Sequence, residues 1–400
     1  MSRRIAVAIA VVLSALTGAS WMLPVHWLGP VLSLIFVGLI LLQKSRLARY
    51  LVALSYYASG SVGLLRGVAV FFGPHAPVWE GAFLWLGSAA LLAAGWTFAD
   101  RAWKAVLVLL FDALVPPLSL FDWLSPLASA GVLFRGAGIF GLLLFILLIL
   151  SMGYNLQIQD RKSLDAKFWL FFSAALLLFA VSYNVHMNGK PVTGWRGANM
   201  DVGARSTNIL ANQSRLQAII HDARGVSAQK GTSVVLLPES LMTDWAGNAW
   251  EIQRGVPPGQ TWLVGMSVPK QLGMMTDSIV AFRHTGAPEI VFNSAFPVPV
   301  SMWHPWSTGT GYVRSQNVGF EAAWWEPVQR IDGIRAWASI CYDQLLPFVW
   351  MEALIQRPQV ILLTNDDWWA RRTGIPSVQR NTAWAWGRLL GVPEVEAENR

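Results

Sequence analysis

The stretch Ile5–Gln43 contains no Asp, Glu, Lys or Arg, and that limits how the chain can fold. About 20 mostly apolar residues cross the hydrocarbon of a bilayer, and a helix satisfies its own backbone there. Pro24 and Gly29-Pro30 interrupt the stretch, so it divides into two candidate spans, 5–23 and 27–43. Five further segments have the same character: 51–73, 79–98, 105–123, 134–154 and 168–186. The segment 105–123 is the weakest, because it holds Asp112, Pro116, Pro117 and Asp122. Composition agrees with a membrane protein that also has a soluble part: 54% hydrophobic residues, 13% charged and 22 tryptophans. Tryptophan suits the membrane–water interface.

Lys and Arg alternate between the short loops. They occur at Arg3 and Arg4, at Lys44, Arg46 and Arg49, at Arg101 and Lys104, and at Arg161, Lys162 and Lys167. The loops around Pro24–His26, Gly73–Trp79 and Asp122–Gly131 have none. Basic loops stay in the cytoplasm. The pattern predicts a multi-pass protein of the inner (plasma) membrane, with seven spans and a cytoplasmic N-terminus. A domain after about residue 187 then lies in the periplasm. Removing the first span as a signal peptide would break this alternation. Arg66 and Asp112 fall inside candidate spans, where an ionisable group is costly, and a mutual ion pair is expected. The net charge of +7 is largely that of the cytoplasmic loops, and no basic cluster interleaved with aromatics marks a nucleic-acid surface. Direct nucleic-acid binding is therefore not expected.

From about residue 190 the pattern changes, giving a membrane domain 1–187 and a second domain 188–400. Strand-like runs at 232–237, 261–267, 278–282, 334–340 and 360–364 alternate with helical patterns at 206–223, 348–356 and 376–390. This alternation predicts an α/β sandwich. Three polar signals follow strands: Leu237-Pro238-Glu239-Ser240, Cys341-Tyr342-Asp343 and Thr364-Asn365-Asp366-Asp367-Trp368-Trp369. Cys341 is the only cysteine, so no intrachain disulfide exists. A lone cysteine can be a small buried hydrophobe. At a strand-to-helix turn it can instead be a nucleophile, where free N–H groups favour the thiolate and a nearby carboxylate serves as base. The six histidines and one cysteine show no metal-ligand spacing, and no cofactor motif is present.

The order Pro-Glu-Ser, then Cys-Tyr-Asp, then Asn-Asp-x-Trp resembles the carbon–nitrogen hydrolase (nitrilase-like) superfamily. With several spans ahead of it, the chain is similar to apolipoprotein N-acyltransferase. The resemblance implies an α-β-β-α sandwich and a Glu–Lys–Cys triad, with Glu239 as base and Cys341 as nucleophile. Two positions depart from that pattern. Ser294 stands where the resemblance implies the lysine, and Met302 where it implies a supporting glutamate. Lys270, Arg283, His304 or Arg314 are the candidate replacement cations. The end of the chain resembles a family strand, after which further strands and an eighth span are expected but do not follow, so the sandwich is C-terminally shortened with an open sheet edge. This mixture resembles that of the TraB-type conjugal transfer proteins. That resemblance implies a role in plasmid transfer at the envelope, with other conjugation or envelope proteins as partners and a degenerate hydrolase domain. The alternative is an active amidase or N-acyltransferase that forms a thioester at Cys341 and meets membrane lipid or lipoprotein. Oligomeric state is not legible.

Overall fold

The computed structural model describes residues 2–72, 78–158, 163–186, 191–206, 208–242, 245–270, 274–299, 302–303 and 319–400. His304, Arg314, Arg161 and Lys162 lie outside the described residues. The chain forms two compact units.

The first unit begins with nine helices among the described residues: α1 (Arg3–Ala19), α2 (Leu28–Leu41), α3 (Arg46–Gly60), α4 (Leu64–Phe72), α5 (Val78–Trp96), α6 (Ala102–Leu114), α7 (Ser129–Leu133), α8 (Gly138–Gln157) and α9 (Leu164–His186). Among the described residues, three helical segments are long and apolar enough to cross a membrane: Arg3–Met22, Gly138–Gln157 and Leu164–Ser182. Several of the seven expected spans are shorter or broken. With its 14 residues, α2 is about 21 Å long, against about 30 Å of hydrocarbon. The segment 51–73 breaks at a turn between α3 and α4. The segment 105–123 stops at Leu114 because Pro116 and Pro117 cannot continue a helix. Small residues bring helices close: a Cβ on Gly60 of α3 would lie 2.8 Å from the Gly18 carbonyl oxygen of α1.

The expected ion pair is not formed. Arg66 on α4 is exposed, whereas Asp112 on α6 is buried at 1% exposure. Asp112 faces the Tyr57 hydroxyl at 3.5 Å, and that hydroxyl accepts from Trp96 Nε1 at 3.1 Å. The arginine stays at the surface while the carboxylate is buried, and phenol and indole groups meet it instead.

The second unit holds two sheets. The first contains β1 (Trp195–Gly197), β2 (Val234–Leu236), β3 (Thr261–Pro269), β4 (Met274–Arg283), β5 (Glu289–Asn293) and β6 (Gly319–Phe320). Its order is β1-β2-β3-β4-β5, with β6 beside β4. The second contains β7 (Gln329–Ile331), β8 (Ile334–Ile340), β9 (Val360–Asp366) and β10 (Glu394–Asn399), in the order β10-β9-β8-β7. Strands β1, β2 and β3 are parallel, as are β8, β9 and β10. Period-two alternation explains why their sequences read as continuous apolar runs. Val234 and Leu236 of β2 face the second sheet, meeting Ala338, Ile340 and Leu362. Val235 and Leu237 face the opposite way, toward α10 (Ile209–Ser227) and α11 (Trp245–Gly255), where they meet Leu216, Ile219 and Ile252. The two sheets and the helices α10 and α11 thus build a layered α/β sandwich. The edge expected to be open beyond β10 is partly met: Met200 N–H donates to Glu398 O at 2.8 Å, and Arg400 N–H to Met200 O at 2.8 Å.

Two helices that follow strands of the second sheet, α12 (Pro347–Gln356) and α13 (Ile375–Leu390), fall for almost their whole length in the first unit. Asn381 on α13 donates Nδ2 to the carbonyls of Trp21 (2.8 Å) and Leu23 (2.9 Å), and its Oδ1 meets His26 Nδ1 at 3.0 Å. Trp350 of α12 stacks on Trp386 of α13.

Candidate active site

Glu239 is placed by the continuation of β2. Leu237 N–H donates to Leu263 O at 2.8 Å and Leu241 N–H to Gly265 O at 3.1 Å, so the segment keeps alongside β3 after the strand ends. Gly265 makes this possible: a Cβ there would lie 2.8 Å from the Pro238 carbonyl carbon and press on the Glu239 backbone. Glu239 is 4% exposed.

Cys341 closes β8 with φ +48° and opens a five-residue 3-10 turn, Cys341–Leu345. A left-handed backbone at a residue with a Cβ costs about 1–3 kcal/mol and persists only where its surroundings hold it. Here Gln344 Nε2 donates to Ser339 O (3.1 Å) and Asn365 Oδ1 (2.7 Å), tying the turn to the end of β9. Asp343 holds the other side. Its carboxylate accepts from the backbone N–H groups of Phe296 (2.8 Å), Ala295 (3.1 Å) and Ile340 (3.3 Å) and from the Ser294 hydroxyl (3.2 Å). Burial pushes that carboxyl up to about 8, against the pull of those N–H donors.

The structure brings Glu239 and Cys341 together: carboxyl and thiol are hydrogen-bonded. A third group joins them. Asp277 of β4 pairs in register with Ser267 of β3, and its carboxyl is hydrogen-bonded to Glu239 and to the Ser240 hydroxyl. Burial and then Asp277 push the Glu239 carboxyl well above its ordinary range, and burial raises Asp277 to about 6. Burial, then Glu239 and the further carboxylates, push the Cys341 thiol up. The thiolate expected from a helix N-terminus is therefore not favoured, because carboxylates outweigh one short turn. The geometry suits a thiol that loses its proton to Glu239 only as sulfur attacks.

Of the residues considered as replacement cations, the two that are described, Lys270 and Arg283, have other partners. Lys270 pairs with Glu321 at 2.8 Å, half-exposed. Arg283 ends β4, six residues or about 20 Å from Asp277 along the strand, beside Glu289. Ser294 spends its hydroxyl on Asp343, and Met302 is an 8% exposed apolar side chain. Two residues of the cluster went unread in the sequence, Asp277 and Arg205. The signal for Asp277 was a carboxylate inside an otherwise apolar strand run. Arg205 carried none. It lies in the loop before α10, and its guanidinium is within electrostatic range of Asp366, Asp277 and Glu239. Among the described residues no group of three His, Cys, Asp or Glu side chains is arranged to hold a metal.

No protein-family model matches the chain. The conjugal transfer protein TraB of Agrobacterium fabrum is 30% identical to it, over 98% of this chain and 93% of that protein. The chain belongs to the TraB family of conjugal transfer proteins. A second member, a probable conjugal transfer protein TraB of Sinorhizobium fredii, is 26% identical over 89% of both chains. Among solved structures, an amidase of the nitrilase superfamily from Nesterenkonia AN1, solved as a cysteine-to-alanine mutant, matches at TM-score 0.31 and 18% identity. That match covers 44% of this TraB-family chain and 67% of the amidase.

Proposed function

We propose that this TraB-family protein serves plasmid conjugation from the inner membrane, working with other envelope or transfer proteins. The near full-length identity to a conjugal transfer TraB carries this reading. The proposal places the N-terminus in the cytoplasm and the α/β sandwich in the periplasm. Three spans or seven, the count is odd, and the Lys and Arg alternation gives the sign. Contacts within the first unit support it. Asn381 meets the end of α1 remote from the N-terminus, and Gly131 packs on the Ala385 backbone, so two of the loops without Lys or Arg, those around Pro24–His26 and Asp122–Gly131, lie on the side of α13. A periplasm-active reporter fused after residue 200 is expected to be active. Activity of a fusion after Arg46 instead would overturn the topology.

In this first reading the hydrolase-like chemistry has decayed, since Ser294 and Met302 leave their positions without a cation or its support. The second reading is favoured by the Glu239–Cys341 hydrogen bond: Cys341 attacks an acyl carbon, forms a thioester and passes the acyl group to an amine or water. Plasmid transfer frequency separates the two. Deleting the gene is expected to lower transfer, and an unchanged frequency would refute the role in conjugation. If Cys341→Ala and Glu239→Gln restore transfer fully, the decayed reading stands. If both fail to restore it while the proteins accumulate normally, the acyl-transfer reading stands.

A further inference from the structure

The acidic cluster contains a cation that no sequence motif carries. Arg205 lies within electrostatic range of Asp366, Asp277 and Glu239, and its Nη1 is buried with no hydrogen-bond partner among the described residues. Glu239 Oε2 and Asp277 Oδ1 are likewise buried without partners among the described residues. Unpaired buried polar atoms are costly, so this group is held together by what surrounds it.

The surroundings are built for it. Asn399 Oδ1 accepts from Val202 N–H at 3.0 Å, and its Nδ2 donates to Gly203 O (3.1 Å) and Asp366 Oδ1 (2.7 Å). Arg215 of α10 donates Nε to Val202 O (3.3 Å), Nη2 to Gly203 O (3.0 Å) and Nη1 to Leu241 O. Leu241 is two residues past Glu239. One side chain therefore ties the Arg205 loop to the Glu239 segment, and another ties it to Asp366. The loop is fixed with respect to both.

We propose that Arg205 is the positioning cation of this site, keeping charge on the Glu239–Asp277 pair so that Glu239 can take the Cys341 proton. This rests on the second reading above. In that reaction the S–H bond breaks and the proton passes to Glu239, while a sulfur electron pair forms the S–C bond. The carbonyl π pair moves to oxygen. When the tetrahedral adduct collapses, the C–N bond breaks and the leaving amine takes the proton from Glu239. Without Arg205, three neighbouring carboxyls have two options, and both hinder the thiol. Protonated, Glu239 is no base. Ionised, the cluster repels a thiolate.

Because Cys341 is the only cysteine, alkylation by iodoacetamide reports one site. The experiment follows its rate from pH 5 to 9 by intact mass on the full-length protein in detergent. Arg205→Gln is expected to move the profile up by a pH unit or more, slowing alkylation at neutral pH about tenfold. Arg205→Lys is expected to recover most of the wild-type profile, and Glu239→Gln to move it down by removing a carboxylate. If Glu239→Gln shifts the profile and Arg205→Gln does not, the role of Arg205 is refuted while the Glu239–Cys341 pair stands. If neither shifts it, the pair itself is wrong. Should Arg205→Gln unfold, Arg205→Lys decides: a wild-type profile supports the charge role, and a folded protein with the profile moved up refutes it.

Discussion

Replacing Gly265 by alanine is expected to destabilise the α/β unit and loosen the Glu239–Cys341 contact together. The new Cβ meets backbone rather than a flexible side chain, with the Pro238 carbonyl carbon 2.8 Å away. Strand β3 is held by β2 and β4 on its two sides, so the yielding part is the Pro238–Glu239 segment. Overpacking of this kind costs about 1–3 kcal/mol. For a unit of this size that lowers the melting temperature by roughly 2–12 °C. Gly225→Ala is the control with opposite sign. Gly225 is exposed on α10 with nothing within 4 Å of an added Cβ, and alanine there adds up to about 1 kcal/mol of helix preference. Near-UV circular dichroism of the purified protein gives both midpoints, and iodoacetamide reaction at Cys341 gives the contact. A Gly265→Ala protein that melts at the wild-type temperature with unchanged Cys341 reactivity would refute the close approach as the device that places Glu239.

Asp343→Ala removes the acceptor for three buried N–H groups. At about 1–3 kcal/mol per orphaned donor, it is expected to cost at least 3 kcal/mol. A loss under 1 kcal/mol in chemical denaturation would show that water replaces the carboxylate. Stability is also expected to depend on pH. Asp277 and Asp366 are raised by burial to about 6 and about 7, so the folded state keeps protons that the unfolded chain has lost. Their stabilisation is complete below about pH 4 and fades as pH rises through 7. The melting temperature is therefore expected to fall between pH 5 and 7.5, less steeply in Asp366→Asn. A rise over that interval would contradict the assignment.

The layered part of the fold was legible where a strand is apolar on both faces. Ile334–Ile340 was read with the bounds it has, and Pro376–Leu390 differs from α13 by one residue. Short strands were not legible. Trp195–Gly197 and Gly319–Phe320 have no run to detect, and their partners lie far off in sequence. In the helical part, hydropathy finds apolar stretches but not where they break. The turn after Gly60 depends on a close approach to α1 that only the fold supplies. Glu239 and Cys341 stand out as candidates in the sequence because each follows a strand within a recognisable tripeptide. Arg205 was invisible because its meaning comes from Arg215 and Asn399, the second of them nearly 200 residues away. The pairing expected for Arg66 failed for a related reason: hydropathy gives depth along a helix, but not the direction in which a side chain points.

The hydrogen bond between His26 and Asn381 joins residues 355 positions apart. At about 5–20 residues per second, a ribosome needs roughly 20–70 s to make the intervening chain. For that interval the carbonyls of Trp21 and Leu23 await their donor. The helical unit is therefore finished only once α13 has been made, although its first helix is the first part to be made, and β10 follows to complete the second unit. Truncation anywhere before α13 leaves both units incomplete.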